Sequence, residues 1–159
     1  MKLEDTRKEQ IYTEVEGQIL AVLDGEENRI AQMATISCLL SQAFPETYFW
    51  TGFYIVDPLK EDELIVGPYQ GTLGCLRIAF GRGVCGLAAQ EKETQIVDDV
   101  HAHPNHIACD SRSQSEIVVP VLDQKGKLLA VFDVDSTDLG SFNNVDQVAL
   151  ERLMKQIFT

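Results

Sequence analysis

The residues with the most chemistry in them are concentrated in residues 98–114, a polar stretch between two apolar segments. It carries all three histidines, His101, His103 and His106, together with Cys109. A connection of this length inside a compact chain is more often functional than merely connective. Two chemistries fit the residue types. His101, His103, His106 and Cys109 suit zinc, but the spacing is irregular, Pro104 stiffens the middle, and no Cys-x-x-Cys pair supports a metal centre. The other reading is a reactive thiol. Cys109 precedes Asp110, Ser111 and Arg112, a polar setting unsuited to a core cysteine. Arg112 would favour the thiolate and Asp110 would oppose it, so the balance is open. The plain alternative for the whole stretch is a solvated surface loop.

Three more cysteines, Cys38, Cys75 and Cys85, lie outside this loop. Cys85 sits in Gly-Arg-Gly-Val-Cys-Gly (81–86), which matches the dinucleotide pattern Gly-x-Gly-x-x-Gly. The match fails on context, because the acids at Asp98 and Asp99 come early and the chain lacks an alternating parallel strand pattern. The glycines serve better as a tight turn that starts a helix with Cys85 in its first turn, where the helix dipole favours a thiolate. Cys75 opens a strand after Gly74 and alone reads as core. Cys38 falls on an apolar helix stripe and reads as core.

Carboxylates supply the second kind of chemistry. Asp133 and Asp135 are two apart at the end of the apolar run 128–132, so they share a strand face. If the strands 115–122 and 128–135 form a hairpin, Glu116 comes close to Asp135. Like charges gathered there raise at least one pKa and supply a proton donor at neutral pH. Trp50 and Tyr54, four apart on another strand, share a face as well and could wall a small apolar or sulfur-bearing group. Plain core packing is the alternative.

The elements that must hold these residues follow from periodicity. Residues 6–24 read as a helix, with Ile11, Val15, Ile19 and Val22 as its stripe and Gly25 at its end. A second helix covers about 28–43, with Ile30, Ala34 and Cys38 on one line. Strands follow at 48–56, 64–70 and 75–79, with Asp57-Pro58 and the charged 60–63 as the first turn. A short helix at 83–91, a strand at 95–97, the hairpin 115–122/128–135 and a helix at 142–158 complete the chain. That last helix is expected to bury Val145, Val148, Ala149, Leu153 and Ile157. Strands in runs favour an α+β domain with a six-stranded, largely antiparallel sheet and N- and C-terminal helices packed on one face. The expected organisation is one domain over 1–159, with a helical segment at 1–45 and the sheet core and last helix at 46–159.

Composition narrows the function classes. The 159 residues carry 13 Lys+Arg against 25 Asp+Glu, a net charge of −12, which disfavours nucleic acid and anionic membranes. No apolar run reaches the ~18 residues of a membrane span, and the N-terminus is too charged for an export signal. A cytoplasmic, reducing location is expected, where cysteines are more often core, metal-binding or catalytic than disulfide-bonded.

Taken together, Gly-Cys-Leu-Arg-Ile (74–78), Gly-Arg-Gly-Val-Cys-Gly (81–86), the run from Asp99 to Ser111 containing His-Ile-Ala-Cys-Asp-Ser, Ser-Glu-Ile-Val-Val-Pro (115–120) and Phe-Asp-Val-Asp-Ser (132–136) resemble the free methionine-(R)-sulfoxide reductases, single GAF-domain enzymes. The resemblance runs from about Trp50 to the C-terminus. It implies that Cys109 is the catalytic cysteine and that Cys75 and Cys85 form or relay a recycling disulfide. It implies that Glu116, Asp133 and Asp135 hold the substrate and assist the sulfoxide oxygen, with Trp50 and Tyr54 as the pocket's aromatic wall. It further implies a homodimer, no bound cofactor, and thioredoxin with NADPH as the external reductant. A GAF sensor that binds a small ligand without catalysis is the alternative. It would leave three cysteines without a use and has no phosphate-binding residues beyond Arg77, Arg82 and Arg112.

Overall fold

The computed structural model describes residues 2–107 and 109–159; Met1, and Ala108 within the His-Ile-Ala-Cys-Asp-Ser run, lie outside the described residues. Helices α1 (Asp5–Val22) and α2 (Arg29–Ala43) precede strands β1 (Trp50–Asp57), β2 (Lys60–Gln70) and β3 (Arg77–Ala79). Helix α3 (Gly83–Glu91), β4 (Gln95–Val97), β5 (Ser115–Leu122), β6 (Leu128–Ser136) and α4 (Asn144–Phe158) follow, with one 3-10 turn at Val100–Ala102. The six strands form one sheet in the order β3-β2-β1-β6-β5-β4, and every neighbouring pair is antiparallel.

The period-2 alternation of the central strands divides the molecule into two faces. Phe53, Ile117, Val119, Val121, Ala130, Phe132 and Val134 point to one side and pack against α1, α2 and α4. Trp50, Tyr54, Val118 and Val131 point to the other, where α3 contributes Val84, Cys85, Ala88 and Ala89. The terminal helices therefore share a face as expected, and the short helix takes the opposite one. Gly86 permits this: a Cβ there would stand 2.5 Å from the Ala79 carbonyl oxygen, so only glycine lets α3 come down on the end of β3.

Several expectations are corrected by how the helices roll. On α1 the buried line is Lys8, Tyr12, Val15 and Ile19, and Val22 is 60% exposed. A lysine belongs to the stripe because Lys8 Nζ donates to Asp146 Oδ2 at 2.5 Å and to the Ser141 carbonyl at 2.8 Å. On α2 the buried line is Met33, Ile36, Ser37 and Leu40, which leaves Ile30 and Ala34 exposed. Cys38, expected in the core, is only half-buried, and its sulfur accepts from Gln42 Nε2. On α4, Leu150, Met154 and Phe158 are buried and Val148 is half exposed. The charged residues 60–63 are strand rather than turn, because Lys60 already pairs with Asp57 across a tight Pro58-Leu59 reversal. Among the described residues, no helix is long and apolar enough to cross a membrane.

Candidate active site

The sheet's α3 face gathers the acids by register alone. Glu116 on β5 lies directly opposite Asp135 on β6. Asp133, one pleat along β6, lies opposite Val118 on one side and Gly52 on the other. Trp50 on β1 lies opposite Asp135. One face of three adjacent strands therefore presents Trp50, Tyr54, Glu116, Asp133 and Asp135.

Cys85 closes the cluster from above. Its sulfur and one oxygen each of Glu116 and Asp133 lie within 4.8 Å of one another, and all three residues are buried. Burial pushes the carboxyls of Glu116, Asp133 and Asp135 well up from their usual range, and their mutual repulsion adds to it. Oxygens in hydrogen-bond contact inside a low-dielectric pocket need a proton between them. Glu116 stands in such contact with both Asp133 and Asp135, and the Cys85 thiol with Asp133. The Asp133 Oδ1 is buried with no partner among the described residues. The thiolate expected at Cys85 does not form. The residue is in the first turn of α3, but burial and the nearby carboxyls push its thiol up, and they outweigh the helix dipole.

The aromatic wall is a stack of three rings. Trp50 lies between Tyr54, at 5.3 Å between ring centres, and Tyr69, at 5.0 Å. Burial, then Asp133, Cys85 and Asp135, push the Tyr54 phenol up, so it stays neutral. Gly74 passes flat over the wall, where a Cβ would stand 2.8 Å from Trp50 Cζ2 and 3.1 Å from Tyr54 Oη.

The polar loop is tied down over this floor. Cys75 and Cys109 form a disulfide, with Cα atoms 5.6 Å apart and a separation of 34 positions in sequence. Beside it, Trp50 Nε1 donates to the Thr72 carbonyl at 2.9 Å, and Thr72 Oγ1 donates to Asp110 Oδ2 at 2.8 Å. Arg112 donates to both Asp110 oxygens and stacks over Phe49 at 4.9 Å. The Arg112 guanidinium, with its backbone N–H and Thr72, holds the Asp110 carboxyl well below the usual range. Arg112 is therefore spent on Asp110, which answers the open balance of charges beside Cys109.

One cavity joins these groups. Its lining includes Trp50, Cys85, Cys109, Glu116, Asp133 and Asp135. Tyr54 stands behind Trp50, and Cys75 is bound to Cys109. With the disulfide closed the cavity measures about 40 Å³, room for a few water molecules. The histidines do not gather as a metal centre: His103 Nδ1 accepts from the Asn105 N–H, Cys109 is in the disulfide, and of the three only His106 lines the cavity.

The residue-type reading missed two members of the site, Tyr69 and His106. Tyr69 was not legible from the turn at Pro58, because β1 and β2 shift register twice, between Val56 and Asp57 and between Gly52 and Tyr54, before Tyr69 comes opposite Gly52. A Cβ on Gly52 would stand 2.2 Å from Tyr69 Cβ, so the missing side chain makes room for the ring. His106 is one of three histidines in a polar loop, and nothing in the spacing separates it from the other two.

Residues 47–158 match the model of the GAF domain family. The GAF domain-containing protein A of Dictyostelium discoideum is 46% identical over 93% of this chain and 90% of its own length. The free methionine-R-sulfoxide reductase of Saccharomyces cerevisiae is 42% identical over 94% of this chain and 85% of its own. The X-ray structure of free methionine-R-sulfoxide reductase from Neisseria meningitidis, in complex with its substrate, superposes with a TM-score of 0.88 at 46% identity, covering 94% of this chain and 87% of that one. The chain belongs to the free methionine-R-sulfoxide reductase family of GAF-domain proteins.

Proposed function

We propose that this chain reduces free L-methionine (R)-S-oxide to L-methionine through Cys109, with Cys75 as the resolving cysteine. The observation that carries the reading is the Cys75–Cys109 disulfide at the mouth of a cavity floored by Glu116, Asp133 and Asp135. A disulfide reachable from outside is the expected end product of a thiol reductase. A buried cluster of protonated carboxyls is what a departing oxygen needs.

In the dithiol state the bridge is open and the substrate enters beneath the loop. The Cys109 thiolate attacks the sulfoxide sulfur while the Asp135–Glu116 pair delivers a proton to the oxygen. That oxygen is transferred to Cys109, which becomes a sulfenic acid, and methionine is released as the reduced product. The Cys75 thiol then attacks the Cys109 sulfur, forming the disulfide and expelling water. Exchange with an external dithiol, which is itself oxidised to a disulfide, returns both thiols. No bound cofactor takes part in these steps. Thioredoxin is the reductant the resemblance implies, and Cys85 keeps the relay part in recycling that the resemblance gives it.

Selectivity for the free amino acid follows from charge. Asp133, with a buried oxygen lacking a partner among the described residues, offers the α-ammonium an acceptor, and the ammonium's charge favours the ionised form of that one carboxyl. A methionine inside a polypeptide has no ammonium to compensate that group. Trp50 and Tyr54 hold the S-methyl end. A homodimer and a cytoplasmic location complete the proposal on the strength of the resemblance alone, and sedimentation and cell fractionation check them.

The deciding experiment supplies each sulfoxide epimer, free and peptide-bound, with thioredoxin, thioredoxin reductase and NADPH. Turnover of the free R epimer, abolished by Cys109→Ser, is expected. Full turnover in Cys109→Ser would refute the role of Cys109. Tight binding without turnover would instead favour the ligand-sensing alternative.

A further inference from the structure

The substrate proposed above has three polar ends, and the acids answer only two. The ammonium meets Asp133, and the sulfoxide oxygen meets the protonated carboxyls. The α-carboxylate is repelled by that same cluster and must be held at the other end of the cavity. A buried carboxylate needs a donor that is not already engaged.

Two cavity-lining side chains carry nitrogen, Trp50 and His106. Trp50 Nε1 already donates to the Thr72 carbonyl at 2.9 Å. His106 differs: Nδ1 and Nε2 are both buried, and neither has a hydrogen-bond partner among the described residues. Its ring meets the edge of His101 at 6.2 Å between centres, and the next residue, Ile107, packs against Gly83 at the start of α3. The imidazole thus belongs to the polar loop and lines the same cavity as the acids of the sheet floor.

We infer that His106 is the substrate's carboxylate-binding residue, donating an imidazole N–H to the α-carboxylate and so completing recognition of a free amino acid. This rests on the reductase reading. Burial, with His101 and His103 nearby, holds the His106 pKa below its usual value. A neutral imidazole still carries one N–H in either tautomer, so no added proton is required. The pair also explains why the loop belongs to the site: the segment carrying the attacking sulfur carries the group that sets the substrate's far end.

The test compares free L-methionine (R)-S-oxide with L-methioninamide (R)-S-oxide, which keeps the ammonium and the sulfoxide but loses the carboxylate. Both are assayed with dithiothreitol as reductant. The native chain is expected to favour the acid, and His106→Ala to lose about 10- to 100-fold in kcat/KM on the acid, chiefly in KM. Turnover of the amide should change little, so the preference collapses; His106→Gln, which keeps an N–H, should restore part of it. An equal loss on both substrates, a loss in kcat alone, no loss, or a native chain indifferent to the carboxylate would each overturn the assignment. A native chain that turns over neither substrate would overturn the reductase reading beneath it. Calorimetric binding of L-methionine and L-methioninamide to reduced His106→Ala gives the same discrimination without catalysis.

Discussion

Glu116 and Asp135 face each other directly across the β5–β6 ladder, two acids in a cross-strand position where like charges destabilise a sheet. Their pairing is tolerated because burial pushes both carboxyls up and leaves a proton between them. A carboxyl raised on folding contributes stability that is full below its unfolded pKa, about 4, and is lost as pH rises through the folded value. Asp135→Asn removes that loss. Its Tm is expected to equal the parent's at about pH 4 and below and to exceed it by about 4–8 °C at pH 9. Its turnover should fall by about 100-fold or more, because a proton donor is gone. Thermal melts across pH, paired with assays, check both halves, and a variant that gains no stability at high pH contradicts the shared proton.

Asp133 carries a different prediction, because it keeps one buried oxygen without a partner among the described residues. Asp133→Asn should raise KM for the free amino acid by about 10- to 100-fold with a smaller change in kcat, the mark of a lost charge-assisted contact to the ammonium. The N-acetylated substrate should be a poor substrate for the parent and no worse for the variant. Steady-state kinetics on the two substrates separate this role from proton donation.

The sheet was legible where its strands obey strict alternation, and with it the meeting of Glu116 with Asp135, because hairpin pairing and period 2 decide both. The helices were less legible. Lys8 belongs to the core through Asp146, a partner 138 residues away in sequence that no local pattern shows. Cys38 looked buried because the line through Ile30 and Ala34 was taken for the inner face of α2, whereas Met33, Ile36, Ser37 and Leu40 form it. Neither spacing nor residue type could join Cys75 to Cys109, since the link depends on the whole β2–β3 edge folding toward the loop. The family resemblance offered Cys75 and Cys85 together as partners in recycling and left the choice between them open. The Cys85 thiolate failed for an energetic reason: a helix dipole was weighed without the three carboxyls that the sheet brings beneath it.

Gly74 predicts a purely steric effect. An alanine there would press its Cβ on Trp50 and Tyr54, at 2.8 and 3.1 Å, next to Cys75. Gly74→Ala should cost about 1–3 kcal/mol of stability and lower kcat/KM by shifting the aromatic wall. Near-ultraviolet circular dichroism of the lone tryptophan should change with it. An unaltered spectrum and unaltered kinetics would mean that the segment yields without cost.

The disulfide predicts a redox-dependent stability and a defined stoichiometry. A bridge spanning 34 residues is worth about 3–4 kcal/mol by chain entropy, so the oxidised chain should melt about 8–12 °C above the reduced one. Cys75→Ser should lose that difference and release one methionine per chain in a single turnover, leaving a sulfenic acid on Cys109. Mass spectrometry after trapping with a dione reagent locates the adduct. An adduct on Cys85 instead would move the attacking sulfur.

The two faces of the sheet should be separable by mutation. On the helix face, the Lys8 ammonium and the Asp146 carboxylate are both almost fully buried. Asp146 also accepts from Tyr12 Oη at 2.6 Å and from the Asn143 N–H at 2.8 Å. Lys8→Met removes the counter-charge and leaves a carboxylate in an apolar setting, which costs about 3–5 kcal/mol. α1 and α4 pack on the side of the sheet away from Cys85 and the acids, and the pair reaches the cavity floor only indirectly, through Ser141, which bonds Ser115 and Ser136 beside Glu116 and Asp135. Lys8→Met should therefore melt about 10 °C or more lower and, assayed well below its Tm, keep the parent's kcat and KM. Melting and kinetics on the same preparation test this. A loss of activity in a fully folded variant would show that the sheet transmits strain from one face to the other, and the acid cluster would then depend on packing behind it as well as on register.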